Sequence, residues 1–117
     1  MSGTMTTAVP AVPPAYDRDR LVELFGNNPA TIAEIEREFL DTARVVEKEI
    51  VNTTDVGAIA RAAHRLKGAS GMISASQLYT ISEAIERAAK AGDLPGVRRL
   101  QETFSREVER VAEQVGG

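Results

Sequence analysis

The chain predicts an all-α fold, an antiparallel up-down four-helix bundle with a short extra N-terminal helix. Three observations lead there. Apolar residues recur at steps of three and four along almost the whole chain after Asp17, and no alternating strand pattern competes. Helix-start residues punctuate that pattern at short intervals. Aromatics make up only 4% of the 117 residues, so the core must be aliphatic. Four amphipathic helices joined by short breaks can bury their stripes only against one another.

Residues 1–15 are small, Thr- and Pro-rich and aperiodic, and are expected to form a disordered tail preceding a domain over 16–117. Met5 is a second possible start. The first helix is brief: Leu21, Val22, Leu24 and Phe25, stopped by Gly26. Asn28-Pro29 then supplies a cap residue followed by proline at the first helical position. Ile32, Ile35, Phe39, Ala43, Val46 and Ile50 continue a long amphipathic helix to about Asn52. Thr53, Thr54 and Asp55 open the next, whose stripe is Ile59, Ala62, Leu66, Ala69 and Ile73. Ser74 and Gln77 fit a capping box for a helix lined by Leu78, Ile81, Ile85 and Ala88. Gly92 stops it. Asp93 caps the last helix, with Pro95 in its first turn and Val97, Leu100, Phe104, Val108, Val111 and Val115 along its stripe.

Composition removes several classes of function. There is no cysteine, which excludes disulfides, thiolate metal sites and thiol catalysis. The net charge of −3 and the lack of a long basic block give no reason to expect nucleic-acid binding. No apolar run approaches a membrane span, and the N-terminus lacks the early Lys or Arg of a signal peptide, so a cytoplasmic protein is expected. No phosphate-cradling loop of the GxxxxGK[ST] or GxGxxG type occurs, so the chain has no evident means to bind ATP. One histidine cannot build a histidine-rich metal site, and no metal or other cofactor is expected.

That histidine, His64, sits in Ala62-Ala63-His64-Arg65-Leu66-Lys67-Gly68-Ala69-Ser70-Gly71. At about 100° per residue it lies about 160° from the core-facing Leu66, on the exposed face. Its neighbours there are Ala60, Arg61, Lys67, Gly68 and Gly71. Residues one turn to either side, Ala60 and Gly68, are as small as residues come. Gly68 in a helix interior costs about 0.5–1 kcal/mol relative to Ala. Two readings fit: small residues give another protein close access to the imidazole, or they let a neighbouring helix pack closely. Arg61, Arg65 and Lys67 form a local basic island, with no acid between Asp55 and Glu83. Such cations would stabilise an anionic adduct on the ring, such as a phosphoryl group. They are equally compatible with an ordinary solvated face. No acid at helical spacing is available to orient the ring.

The run Ala63-His64-Arg65-Leu66-Lys67-Gly68-Ala69-Ser70 resembles the His-x-Leu-Lys-Gly-[Ser/Ala]-[Ser/Ala] motif of histidine-containing phosphotransfer domains. The likeness extends over roughly residues 20–115, including the Phe39-Leu40 pair of the preceding helix and "SASQLYTISEAIERAAKAGD" after the motif. One departure is Ser74, where the family often has glycine. The resemblance implies a four-helix bundle that takes a phosphoryl group from a receiver-domain aspartyl phosphate and passes it to another receiver. His64 would accept through Nε2, Lys67 would neutralise phosphoryl charge, and Gly68 would leave room for the receiver, which supplies the metal and acidic pocket. The implied partners are response regulator receiver domains and a hybrid sensor histidine kinase, met by a monomeric phosphocarrier that is not itself an enzyme. Ala60, Arg61, Arg65 and Gly71 would touch the partner. The dimerisation helix of sensor kinases fits less well, because it usually has an acid after its histidine and a nearby proline; here Arg65 follows and no proline is near. The alternatives in other classes are a helical scaffold module without phosphotransfer and a hydrolase using His64. The first would usually lose the histidine that this chain retains, and the second lacks an identifiable second catalytic group.

Overall fold

The structure, a computed structural model, describes residues 13–116. Five helices follow one another: α1 (Arg18–Phe25), α2 (Pro29–Asn52), α3 (Val56–Met72), α4 (Ser76–Lys90) and α5 (Leu94–Gly116), with no strand among the described residues. None of them is long and apolar enough to cross a membrane.

Four of the five starts are set locally by a side chain. Asp17, Asn28 and Asp55 sit in extended backbone, and each side chain accepts from the second and third amides beyond it. Those amides have no intrahelical partner, so each cap is worth about 1 kcal/mol. Asp93 does the same for α5, its Oδ1 accepting from Gly96 N at 2.9 Å. A Cβ at Gly96 would lie 2.2 Å from Asp93 Oδ2, so the Asp93 carboxylate occupies the space that glycine leaves free. The other end of α2 is closed from a distance. The Arg98 guanidinium of α5 donates to the carbonyls of Ile50 at 2.7 Å and Thr53 at 2.6 Å.

Contacts close into a ring. α2 packs on α3 and α5, α4 packs on the same two, and α1 leans on α2. The interior is aliphatic: Ile32, Val46, Ile50, Ile59, Leu66, Leu78, Ile85, Val97 and Val108 are essentially inaccessible, joined by Phe104. At the ~25 cal/mol per Å² of apolar burial, side chains of this kind supply the main stabilising contribution.

Two expectations need correction. Ser74 does not cap α4; the N-cap is Ala75, which makes no side-chain cap bond. Ser74 instead ends α3 in left-handed backbone at φ 56°. Ser74 N donates to Gly71 O and Ala75 N to Ser70 O, the paired bonds of a Schellman turn. The α3 carbonyls compete for this residue and win. The expected tail over 1–15 lies outside the described residues as far as residue 12. Its last residues are tied down. Ala15 N donates to Gln114 Oε1 at 2.8 Å, Gln114 Nε2 donates to Tyr16 O at 3.0 Å, and Arg110 holds the Pro13 carbonyl. Ala15 and Tyr16 are both buried. The Tyr16 ring stands edge-on to Phe39 and its hydroxyl donates to Glu36. Burial and that carboxylate push the phenol above its ordinary pKa.

Candidate functional site

His64 projects from the middle of α3 with two thirds of its side chain exposed. Its partner comes from α4. Nδ1 lies 2.8 Å from Oε2 of Glu86, whose side chain is only 4% exposed. An ionised carboxylate can only accept, so Nδ1 carries a proton, and in the neutral ring the lone pair is then on Nε2.

Glu86 is ionised because of its company. Lys67 Nζ lies 2.8 Å from Oε1, and Lys90 Nζ lies 3.0 Å from Oε2. Lys67 does most to lower the Glu86 pKa, to about 2. Burial works against it; Lys90 and His64 add to the lowering. In return the Glu86 hydrogen bond raises the Lys67 pKa, against desolvation. A buried carboxylate is tolerable only when paired this thoroughly.

The helices are shaped to permit it. α3 and α4 form the most extensive helix pair in the structure. Both bury small residues, Ala63 and Ser70 on α3 and Ser82 and Ala89 on α4. Small side chains allow close helix approach, which brings Glu86 across to His64. The hydroxyls of Ser70 and Ser82 have no hydrogen-bond partner among the described residues.

The two glycines separate cleanly. A Cβ on Gly68 would have nothing within 4 Å, so helix packing does not require glycine there. The space beside it is open, one turn from His64. A Cβ on Gly71 would meet the Tyr79 ring at 3.4 Å. Gly71 is therefore flanked by α4, and the close-packing reading suits it better than the access reading.

The other expected residues divide. Lys67 is on the site, but it is mostly covered and ion-paired. Arg65 is drawn away by Glu49 of α2 at 2.5 Å. Arg61 is exposed and lines a shallow depression of about 450 Å³ together with Ala60, His64, Arg65, Glu86 and Lys90. Ala60 is not on an exposed face as its helical phase implied. It is 9% exposed and belongs to the core cluster, because α3 is covered from both α2 and α4. Its flank still forms part of the depression. The basic island is likewise balanced across helices rather than simply solvated, by Glu49 and Glu86.

Glu86 and Lys90 were invisible to a search along one helix. Glu86 lies 22 residues from His64. A signal did exist: Leu78, Ser82, Ile85, Glu86 and Ala89 share the buried arc of α4. An acid on such an arc needs a cation or donor from the helix it faces.

The Hpt domain family model matches residues 20–114, which is most of the chain. No curated protein and no solved structure matches it. The matched span runs from within α1 almost to the end of α5 and contains His64, Lys67, Gly68 and Glu86. The chain belongs to the Hpt domain family, the histidine phosphotransfer modules of phosphorelays, which are phosphocarriers rather than kinases.

Proposed function

We propose that His64 is the phosphoacceptor, taking a phosphoryl group on Nε2 from the aspartyl phosphate of a receiver domain and passing it to the aspartate of another. The observation that carries this reading is the 2.8 Å contact between His64 Nδ1 and buried Glu86. In the neutral ring this contact favours the tautomer whose lone pair is on Nε2.

In the transfer, the Nε2 lone pair attacks phosphorus. The acyl-phosphate P–O bond breaks and its electron pair leaves with the receiver's carboxylate. The ring becomes a phosphorylated imidazolium that keeps its Nδ1 proton, and the bond to Glu86 becomes charge-assisted at both ends. Return of the phosphoryl group to a second aspartate reverses these changes. Lys67 neutralises charge beside the phosphoryl group. Gly68 leaves the approach to Nε2 clear, consistent with the open space beside it. Positioning and electrostatics suffice for a phosphoryl transfer of this kind, with the receiver supplying the metal.

The partners we assign are response regulator receiver domains and a hybrid sensor histidine kinase, met by a cytoplasmic monomer. We read the ring of α2, α3, α4 and α5 as an antiparallel up-down bundle, which the short connections between them favour.

The test is incubation with a phosphorylated receiver or hybrid kinase, with acid-labile phosphate followed by intact-protein mass spectrometry. Label on the wild type and none on His64→Gln is expected. Equal label on both variants overturns the assignment. No label from a panel of cognate donors favours a scaffold module.

A further inference from the structure

We propose that Ser70 and Ser82 hold one internal water molecule between α3 and α4, a hydration site in an otherwise apolar interior. The inference does not depend on the phosphoryl role of His64. Its starting point is that both side chains are fully buried, and that neither hydroxyl has a hydrogen-bond partner among the described residues.

The register of the helix pair brings the two serines together. His64 of α3 meets Glu86 of α4, and about two turns further along α3 Gly71 lies against Tyr79, about two turns back along α4. The two helices therefore run in opposite directions. The same step takes Ala63 to Ser70 on α3 and Ala89 back to Ser82 on α4. Ser70 thus stands opposite Ser82, as Ala63 stands opposite Ala89, and all four are buried. At about 100° per residue, each serine lies between the outward contact of Lys67 with Glu86 and the core residue of its own helix, Leu66 on α3 and Ile85 on α4.

The alanine pair isolates what the hydroxyls add. At Ala63 and Ala89 a methyl group is all that the helix contact requires, and alanine is the better helix former. Each serine places one further oxygen where bulk solvent does not reach it. A serine or threonine inside a helix can turn its hydroxyl back to the carbonyl one turn before it. Thr80 does so, its Oγ1 donating to Ser76 O at 3.0 Å. Ser70 and Ser82 do not. A buried hydroxyl left unpaired loses its hydration without return.

Chemistry selects the occupant. Two hydroxyls offer up to two donors and four acceptor lone pairs, and they carry no charge. At a close helix contact only the smallest neutral ligand that both donates and accepts can sit between them, and that is water. Buried waters make two to four bonds of this kind, about three on average. A metal ion does not suit the position. Among the described residues no cluster of His, Asp and Glu could hold one, and Glu86, one turn from Ser82, is already taken by Lys67, Lys90 and His64.

The test combines a high-resolution crystal structure of the full chain with a mutant cycle. The structure should show one ordered water within about 3.2 Å of both Oγ atoms. Ser70→Ala, Ser82→Ala and the double variant are compared with wild type by thermal melting. Removing either hydroxyl leaves the water and the other hydroxyl short of a partner. Each single variant should therefore melt roughly 4–8 °C below wild type. The double variant should fall no further than either single one, because the two hydroxyls act through one shared partner. Single variants that melt at or above wild type, or shifts that simply add, overturn the proposal. A crystal structure with no water common to both hydroxyls overturns it too. None of these outcomes bears on His64 as the acceptor.

Discussion

Ser74 and Gly92 occupy the same position in the same turn. Each follows the C-cap of its helix, at φ 56° after α3 and φ 72° after α4. Each turn is closed by the same pair of bonds, Ala75 N to Ser70 O with Ser74 N to Gly71 O, and Asp93 N to Ala88 O with Gly92 N to Ala89 O. Glycine takes this backbone without strain, and a residue with a Cβ does not. The departure of Ser74 from the usual family glycine is therefore a stability cost at a helix end. Ser74→Gly should stabilise the protein by about 1 kcal/mol, a rise in melting temperature of roughly 4–8 °C by calorimetry.

Gly68 carries the opposite expectation. Because a Cβ there meets nothing within 4 Å and glutamine favours helix over glycine, Gly68→Gln should fold at least as well as wild type. Its phosphoryl transfer to or from a receiver should nonetheless fall by at least about tenfold, a loss of about 1.4 kcal/mol in the transition state. Labelling by phosphoramidate should change much less, because a small donor needs little room. Equal losses with both donors would show that the effect is not one of access.

Glu86→Gln should disturb the imidazole without emptying the site. Losing a charge-assisted bond of about 1.5–3 kcal/mol predicts transfer roughly ten- to a hundredfold slower. Nitrogen-15 spectra of His64 should show a single Nδ1–H tautomer in wild type and a mixture in the variant. A single unchanged tautomer in the variant would mean that Glu86 does not set it.

Acid should unfold the wild type partly through the same carboxylate. Lys67 first, then Lys90 and His64, hold the folded-state pKa of Glu86 at about 2, below the ordinary 4.5 of a free glutamate. A depressed acid stabilises the fold above its unfolded pKa and loses that contribution as pH falls through the folded value. The Glu86 contribution should therefore be intact above about pH 4.5 and decline toward pH 2. Urea midpoints across that window should converge for wild type and Glu86→Gln. Parallel curves would contradict the linkage.

The N-terminal clip gives a prediction about truncation. A chain begun at residue 17 loses Ala15 and Tyr16 from the core and leaves Glu36 without the Tyr16 hydroxyl. Compared with a chain begun at residue 13, it should be less stable by roughly 3–5 kcal/mol, the usual cost of removing a large buried aromatic. Denaturant titration of the two truncations measures this directly.

The helices were legible in the sequence because their starts are local. Asn28-Pro29 and Asp55 cap through side chains two or three residues from the amides they serve, and Asp93 through one three residues away. His64 and Gly68 stood out for a similar reason, since a helix phase can be counted along one segment. What depended on two segments was not legible. Ala60 was misplaced because phase locates an angle on a helix but not how many neighbours cover it. Glu86, Lys90 and Arg98 act across helices, and no spacing rule within one helix encodes such pairs. Ser74 was misread because one residue stood between two helix ends, and the cap motif was weighed without the carbonyls left over from α3.

The open space beside Gly68 also bears on how this domain responds to selection for robustness. Gly68→Ala is a sterically free substitution worth about 0.5–1 kcal/mol of helix stability. A library screened for heat resistance alone would accumulate it, along with Ser74→Gly, because in the isolated protein both are gains without a visible penalty. At position 74 the gain is confined to the turn that ends α3. At position 68, on the access role proposed for Gly68, it encroaches on the approach to His64. A hardened version of this chain should therefore be sought with position 68 held fixed.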